Sequence, residues 1–285
     1  GPAAVMVRTN EADRDRPRAR AMSHADLTCG KDGAVARIAF NRPARRNALG
    51  DTTTRQLRAA CEEAIADGSV RVIVITGEGE AFCAGGDFKD TFERGAGKTE
   101  AEWRERIRTG PNELVRCLAG SPKPVIASVN GAAVGGGATI ALACDFRIAS
   151  DRARFAFPFA RLGLAPEFGC SRLLARAVGF PKAMELLLTA DMIDAAEAGR
   201  IGLVNEVVAH ADLAAATARL AARLAAMPPV AIGRIKSMLH RAQAMDLEAV
   251  LEMEALELGA AFKTDEHRAA VRAFLESKAV GRPGD

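Results

Sequence analysis

Two glycine-rich turns stand out as places where this sequence could do chemistry. One is Ala81-Phe82-Cys83-Ala84-Gly85-Gly86-Asp87, and the other is Asn130-Gly131-Ala132-Ala133-Val134-Gly135-Gly136-Gly137. Each follows an apolar run, residues 70–76 and 124–129, of the kind that forms a strand buried on both faces. Glycine allows backbone conformations and close approaches that a side chain forbids. The second turn also opens a helix, whose first N–H groups lack intrahelical acceptors and lie at the positive end of the helix dipole. Such a turn holds an anion or an oxyanion that develops during a reaction. Either turn alone could serve tight packing only; the pair, each after a buried strand, points to a site.

Phosphate is the rival ligand. A P-loop needs GxxxxGK[ST], but before Gly97-Lys98-Thr99 the first glycine position is Phe92 and no strand precedes it. Neither turn supplies the GxGxxG of a dinucleotide site. A developing oxyanion calls for a general base nearby. Between residues 121 and 170 the carboxylates are Asp145, Asp151 and Glu167. Asp145 at a strand start and Asp151 in a turn fit structural or solvated roles. Glu167 lies in the apolar loop Leu164-Ala165-Pro166-Glu167-Phe168-Gly169. Apolar surroundings disfavour its ionised form and raise its pKa, which suits a base that must also return its proton.

The elements that position these residues follow from periodicity. Alternation over residues 34–40, after the turn Lys31-Asp32-Gly33, predicts an early hairpin. Helices are expected over 51–67 and 101–119, with residues 88–99 between them as a mobile polar loop. A short apolar helix follows the triple glycine and ends near Cys144, and short strands are expected at 145–149 and 154–157. Beyond about residue 171 the chain is nearly all helix, with segments at 213–227, 230–240, 247–262 and 265–278. Strand–helix alternation followed by a helical tail indicates an α/β core with a helical C-terminal region. The Ala/Leu/Met-rich tail offers apolar surface for contacts between copies of the chain, or for packing on its own core.

Composition narrows the class. The chain has 285 residues, 49% hydrophobic and 26% charged, enough for a full core. The formal charge of +3 is too small to argue for nucleic acid as the main partner. No apolar run reaches the roughly 18 residues of a membrane span. The six cysteines form no CxxC pair and are expected to be reduced, mostly buried thiols of a cytoplasmic protein. The four histidines lie outside the glycine-rich middle, so no metal is expected. Residues 1–24, rich in Arg, Asp and Ala, are expected to be a disordered tail, with Gly1-Pro2 a remnant of expression.

The segments NRPARRNAL (41–49), VRVIVITGEGEAFCAGGDFK (70–89), KPVIASVNGAAVGGGATIALACDFRIAS (123–150), FPFARLGLAPEFGCSRLLARAVG (157–179) and LLLTADMIDAAEAGRIGLVNEVV (186–208) together resemble the crotonase, or enoyl-CoA hydratase/isomerase, superfamily. The resemblance spans about residues 26–280. It implies an α/β fold with a crotonase-type (ClpP-like) β-β-α spiral core over 25–205. A helical C-terminal trimerisation region over 206–285 follows, giving a homo-trimer or dimer of trimers. It implies an acyl-CoA substrate whose thioester oxygen lies between the N–H groups of Gly86 and Gly136, with no permanently bound cofactor. The adenine of CoA would sit near the backbone of Ala84. Lys89, and either Arg45 or Arg46, would face its phosphates. Phe274 and Lys278 would reach pantetheine or nucleotide, sometimes of a neighbouring subunit.

The sequence departs from the hydratase pattern of that superfamily. The two hydratase glutamates correspond to Thr139 and Phe159, neither of which can act as a base. Glu167, after PFARLGL, resembles the catalytic glutamate of peroxisomal-type Δ3,Δ2-enoyl-CoA isomerases. The expectation is an acyl-CoA enzyme that stabilises a thioester enolate and shifts a double bond. The alternatives are hydration or another crotonase reaction, and a non-catalytic acyl-CoA-binding or scaffold protein. Phe88, Phe92, Phe155, Phe157 and Phe159 are candidates for the acyl pocket or for the core.

Overall fold

The computed structural model describes residues 24–50 and 52–280, apart from the side chains of Phe92, Arg94 and residues 277–280. The expectation for the N-terminal tail therefore lies, except for His24, outside the described residues. The hairpin forms as expected. Strand β1 (Leu27–Asp32) runs antiparallel to β2 (Val35–Phe40), with Leu27 opposite Phe40. Helix α1 (Thr53–Ala66) buries Leu57, Ala60, Cys61 and Ala64, residues three to four apart that make one apolar stripe. Strand β3 (Val72–Gly77) is buried along its whole length, as its unbroken apolar sequence requires.

From β3 the chain winds in repeated turns. Each turn gives one strand to a six-stranded sheet and the next to a four-stranded sheet. The pairs are β3 with β4 (Ala81–Cys83), β5 (Val125–Val129) with β6 (Ala132–Val134), and β7 (Phe146–Ser150) with β8 (Arg154–Ala156). Within each sheet these strands are parallel neighbours. The smaller sheet is completed by β9 (Ile193–Asp194) and the larger by β10 (Glu206–Val208). The corners between sheets are tight. A Cβ on Gly131 would lie 1.8 Å from the Glu80 carbonyl oxygen, so no other residue fits there. Helix α5 (Gly136–Ala143), wholly buried, runs from the second glycine turn into the main core.

Two expectations about helices need correction. Residues 88–95 are not a loop: they form helix α2 (Phe88–Gly95), whose last glycine packs under the Trp103 ring. Their polar composition hid the helix, although Phe88 and Phe92 stand four residues apart, at helical spacing. The single helix expected over 101–119 is two, α3 (Glu100–Thr109) and α4 (Pro111–Gly120). Pro111 has no N–H to continue the first helix and is suited to start the second. Thr99 and Glu102 form a reciprocal capping box at the start of α3.

The remaining helices are α6 (Cys170–Val178), α7 (Phe180–Thr189), α8 (Ala195–Arg200), α9 (Leu213–Ala225), α10 (Pro229–Ala242), α11 (Leu247–Ala261) and α12 (Asp265–Val280). Helix α9 packs on β3, β5 and β7. Buried Lys236 ties α10 to the core, donating to the Asp145 carboxylate and the Leu118 carbonyl, each at 2.8 Å. Leucines 239, 247, 251 and 258 on α10 and α11 remain exposed, as do Val271 and Leu275 on α12. Among the described residues no helix is long and apolar enough to cross a membrane.

Candidate active site

Strands β4 and β6 are parallel, Ala81 opposite Ala132 and, after a shift of register, Cys83 opposite Ala133, so the turns that follow them emerge at the same end of the smaller sheet. The turns interlock. A Cβ on Gly85 would lie 2.7 Å from the Val134 carbonyl oxygen, and one on Gly137 would lie 2.2 Å from that of Cys83. The sequence supplies glycine where backbone meets backbone, and the two turns become one surface.

Peptide planarity fixes where the two amides point. The Gly85 carbonyl accepts a hydrogen bond from the Leu49 N–H at 2.7 Å. In a trans peptide the N–H points opposite its carbonyl. The Gly86 N–H therefore points away from Leu49, and a Cβ at Gly86 would meet nothing within 4 Å. The Gly135 carbonyl accepts from the Thr139 N–H at 3.0 Å and from the Thr139 hydroxyl at 3.1 Å, inside the first turn of α5. The Gly136 N–H consequently points out of the helix N-terminus, where no intrahelical acceptor exists. Among the described residues, neither amide donates to another group of the chain.

Glu167 comes to this place from a strained loop. Phe168 has φ +55° and Gly169 has φ +76°, both left-handed. For a bulky residue such as Phe168 that conformation costs about 1–3 kcal/mol and persists only where packing enforces it. The Phe168 side chain is fully buried. The kink turns the chain back over α5. A Cβ placed on Gly136 would lie 2.9 Å from Cε2 of Phe168, 3.1 Å from Oε1 of Glu167 and 3.1 Å from Cδ1 of Leu49. The Glu167 carboxylate thus lies beside the second amide, and Leu49 touches both turns, since its backbone bridges Gly86.

Burial pushes the Glu167 carboxyl above its ordinary range, and the positive charge of Arg106 on α3 draws it partly back. The Cys170 thiol, next to Thr139, is pushed up to about 11, mainly by burial, and stays protonated at neutral pH. Thr139 and Phe159 are buried and bring no carboxylate. Asp145 and Asp151 are structural, as expected. Asp145 accepts from the Val125 N–H and Lys236, and Asp151 from the His210 N–H. One carboxylate, two amides that donate to no other group among the described residues, and an apolar wall can bind a carbonyl oxygen and move a proton beside it.

The other expected residues are placed as follows. Ala84 donates its N–H to the Arg46 carbonyl at 3.0 Å, and Lys89 is exposed on α2, next to the first turn. Arg45 donates to both carboxylate oxygens of Asp87 at 2.7 Å. Phe274 is exposed on α12, whose Glu266 caps the first N–H groups of α10. The Lys278 and Phe92 side chains lie outside those described. Phe155, Phe157 and Phe159 belong to the main core, while Phe88 is exposed. Sequence reading missed Leu49, Phe168 and Arg106. Leu49 closes the NRPARRNAL segment and Phe168 lies in the loop that holds Glu167, which were the available signals; for Arg106 the sequence holds none.

The sequence model of a family described as enoyl-CoA hydratase/isomerase matches residues 30–281. The chain is 38% identical to the short-chain-enoyl-CoA hydratase of Clostridium acetobutylicum over 251 residues, 88% of this chain and 94% of that protein. It is 35% identical to the 1,2-epoxyphenylacetyl-CoA isomerase of Escherichia coli over 86% of this chain and 93% of that protein. A crystal structure from Thermobifida fusca in complex with CoA superimposes with a TM-score of 0.77 at 37% identity, covering 84% of this chain and 93% of that one.

Proposed function

The chain belongs to the enoyl-CoA hydratase/isomerase family and has its crotonase fold, and we propose that it is a Δ3,Δ2-enoyl-CoA isomerase working through a single carboxylate. The observation that carries this reading is the position of Glu167 Oε1 beside Gly136, while Thr139 and Phe159 bring no second carboxylate to the site.

The proposed steps use these groups in turn. The thioester oxygen of a 3-enoyl-CoA accepts hydrogen bonds from the Gly86 and Gly136 amides. Glu167 takes a proton from C2, and the C–H electron pair moves into a dienolate whose negative charge rests on that oxygen. Each such donor is worth about 10²–10³ in rate, because charge grows where the donor already points. Glu167, now neutral, returns the proton to C4 and leaves 2-enoyl-CoA. A carboxyl raised by burial suits both halves of this exchange. CoA enters as part of the substrate, in keeping with the CoA bound to the Thermobifida fusca relative. Exposed leucines on α10 and α11 support self-association as a homo-trimer or dimer of trimers.

The test is direct. Purified protein given a 3-enoyl-CoA is expected to produce the absorbance of the conjugated product. Glu167→Gln should lower that rate about 10²–10⁴-fold, the usual weight of a general base. A Glu167→Gln enzyme that isomerises at the wild-type rate refutes the role of Glu167. Hydration is the second reading, favoured by the name of the Clostridium relative. Release of 3-hydroxyacyl-CoA from 2-enoyl-CoA faster than isomerisation would establish it instead.

A further inference from the structure

Asp87 follows the Gly86 amide directly, and its surroundings are built. Its side chain is 5% exposed and lies between two guanidinium groups. Arg45 Nη2 donates to both carboxylate oxygens at 2.7 Å, and Arg42 Nη2 donates to Oδ2 at 3.2 Å. Burial alone would raise the Asp87 carboxyl, but hydrogen bonds from Arg45, from the Asp90 N–H and from Arg42, together with the Arg45 charge, hold it below the ordinary range. Arg42 also donates through Nη1 to the Ala48 carbonyl at 2.6 Å, while its N–H binds Oδ1 of Asn47 at 2.9 Å. Asn47, itself buried, donates onward to the carbonyls of Glu78 and Ala81.

The backbone on either side of Gly86 is pinned to the same segment. The Leu49 N–H holds the Gly85 carbonyl at 2.7 Å, and the Leu49 carbonyl accepts from the Asp87 N–H at 2.9 Å. The peptide that carries the Gly86 N–H is thus fixed through its own carbonyl, and the residue after it is locked by two cations from the segment that supplies Leu49. The whole arrangement flanks the one peptide that carries the Gly86 N–H.

We propose that Asp87, gripped by Arg42 and Arg45, is a positioning residue for the Gly86 amide, and that Arg45 serves this clamp rather than the phosphates of a CoA substrate. The proposal rests on the reading of Gly86 as an oxyanion donor. It does not depend on whether the reaction is isomerisation or hydration. A displacement of the donor by about 1 Å is enough to cost roughly 10²-fold in rate.

The experiment uses the full chain and two unreactive probes, butyryl-CoA and butyryl-pantetheine, each with a 13C-labelled thioester carbonyl. Infrared difference spectra are expected to show the carbonyl band moving to lower frequency on binding to the wild-type protein. Asp87→Asn and Arg45→Gln should lose most of that movement with both probes alike, and Arg45→Lys should recover part of it. Asp87→Asn is the stricter variant; should it not fold, Arg45→Gln decides alone, because that side chain is 49% exposed and its loss spares the core. A full wild-type shift in both variants overturns the proposal. So does an Arg45→Gln protein that binds butyryl-CoA tenfold more weakly but butyryl-pantetheine normally, which would make Arg45 a nucleotide ligand. A wild-type protein with no carbonyl shift at all refutes the oxyanion reading itself, and is distinct from either result.

Discussion

Glu167 concentrates the chemistry of the site in one titratable group, and its pKa is a balance. Burial raises it, and the Arg106 charge lowers it. A base must be ionised to accept a proton, so kcat/KM should fall on the acid side at a pH above the ordinary carboxylate range. In Arg106→Gln the opposing charge is gone, the carboxyl rises further, and that limb should move to still higher pH. Profiles of kcat/KM measured from acid to neutral pH check both statements. An acid limb that stays in place in Arg106→Gln means that the guanidinium has no electrostatic hold on Glu167. At this scale Arg106 differs from Arg45: one acts on the charge of the base, the other on the direction of a donor.

Elements matter here mainly through how closely they approach. Helix α5 begins against β4 because Gly137 has no side chain, and a Cβ there would overlap both the Cys83 carbonyl and its side chain. Neither neighbour can move, since Cys83 is buried and its strand pairs with β6. Gly137→Ala should therefore separate α5 from β4 and destabilise the protein by at least the roughly 1–3 kcal/mol of an overpacked core. Urea denaturation followed by circular dichroism gives the value. A variant as stable as wild type would show that the interlocked turns can spread without cost. Sequence alone announced this pair of turns, but not that they touch. Ala132–Val134 looks like turn in the sequence and is a strand, because its partners, β4 and β8, lie far away along the chain.

Across the whole molecule, Lys236 joins the C-terminal helices to the spiral. Its ammonium group, 8% exposed, has the Asp145 carboxylate and the Leu118 carbonyl each at 2.8 Å. Removing one partner of a buried pair leaves the other charge uncompensated. Lys236→Ala is expected to cost about 3–5 kcal/mol, and Lys236→Arg less. Thermal and urea unfolding provide the measure. A loss well below that range would mean that water or His240, whose Nε2 lies 3.9 Å from Asp145, takes over. No periodicity in α10 marks this lysine, because its value comes from carbonyls more than one hundred positions away.

The sequence by itself determined the α/β character, the two buried strands with their glycine turns, the early hairpin and the helical tail. These are local matters, decided by apolar period and by the residues that a turn tolerates. It also singled out Glu167, since an apolar loop around a carboxylate is visible without a structure. Tertiary structure alone decided what those pieces do together. It brought the Glu167 carboxylate to Gly136, joined both turns through Leu49, and committed Arg45 to Asp87. The physical reason is that direction and contact between distant segments depend on the packing of the whole chain, and spacing along it encodes neither.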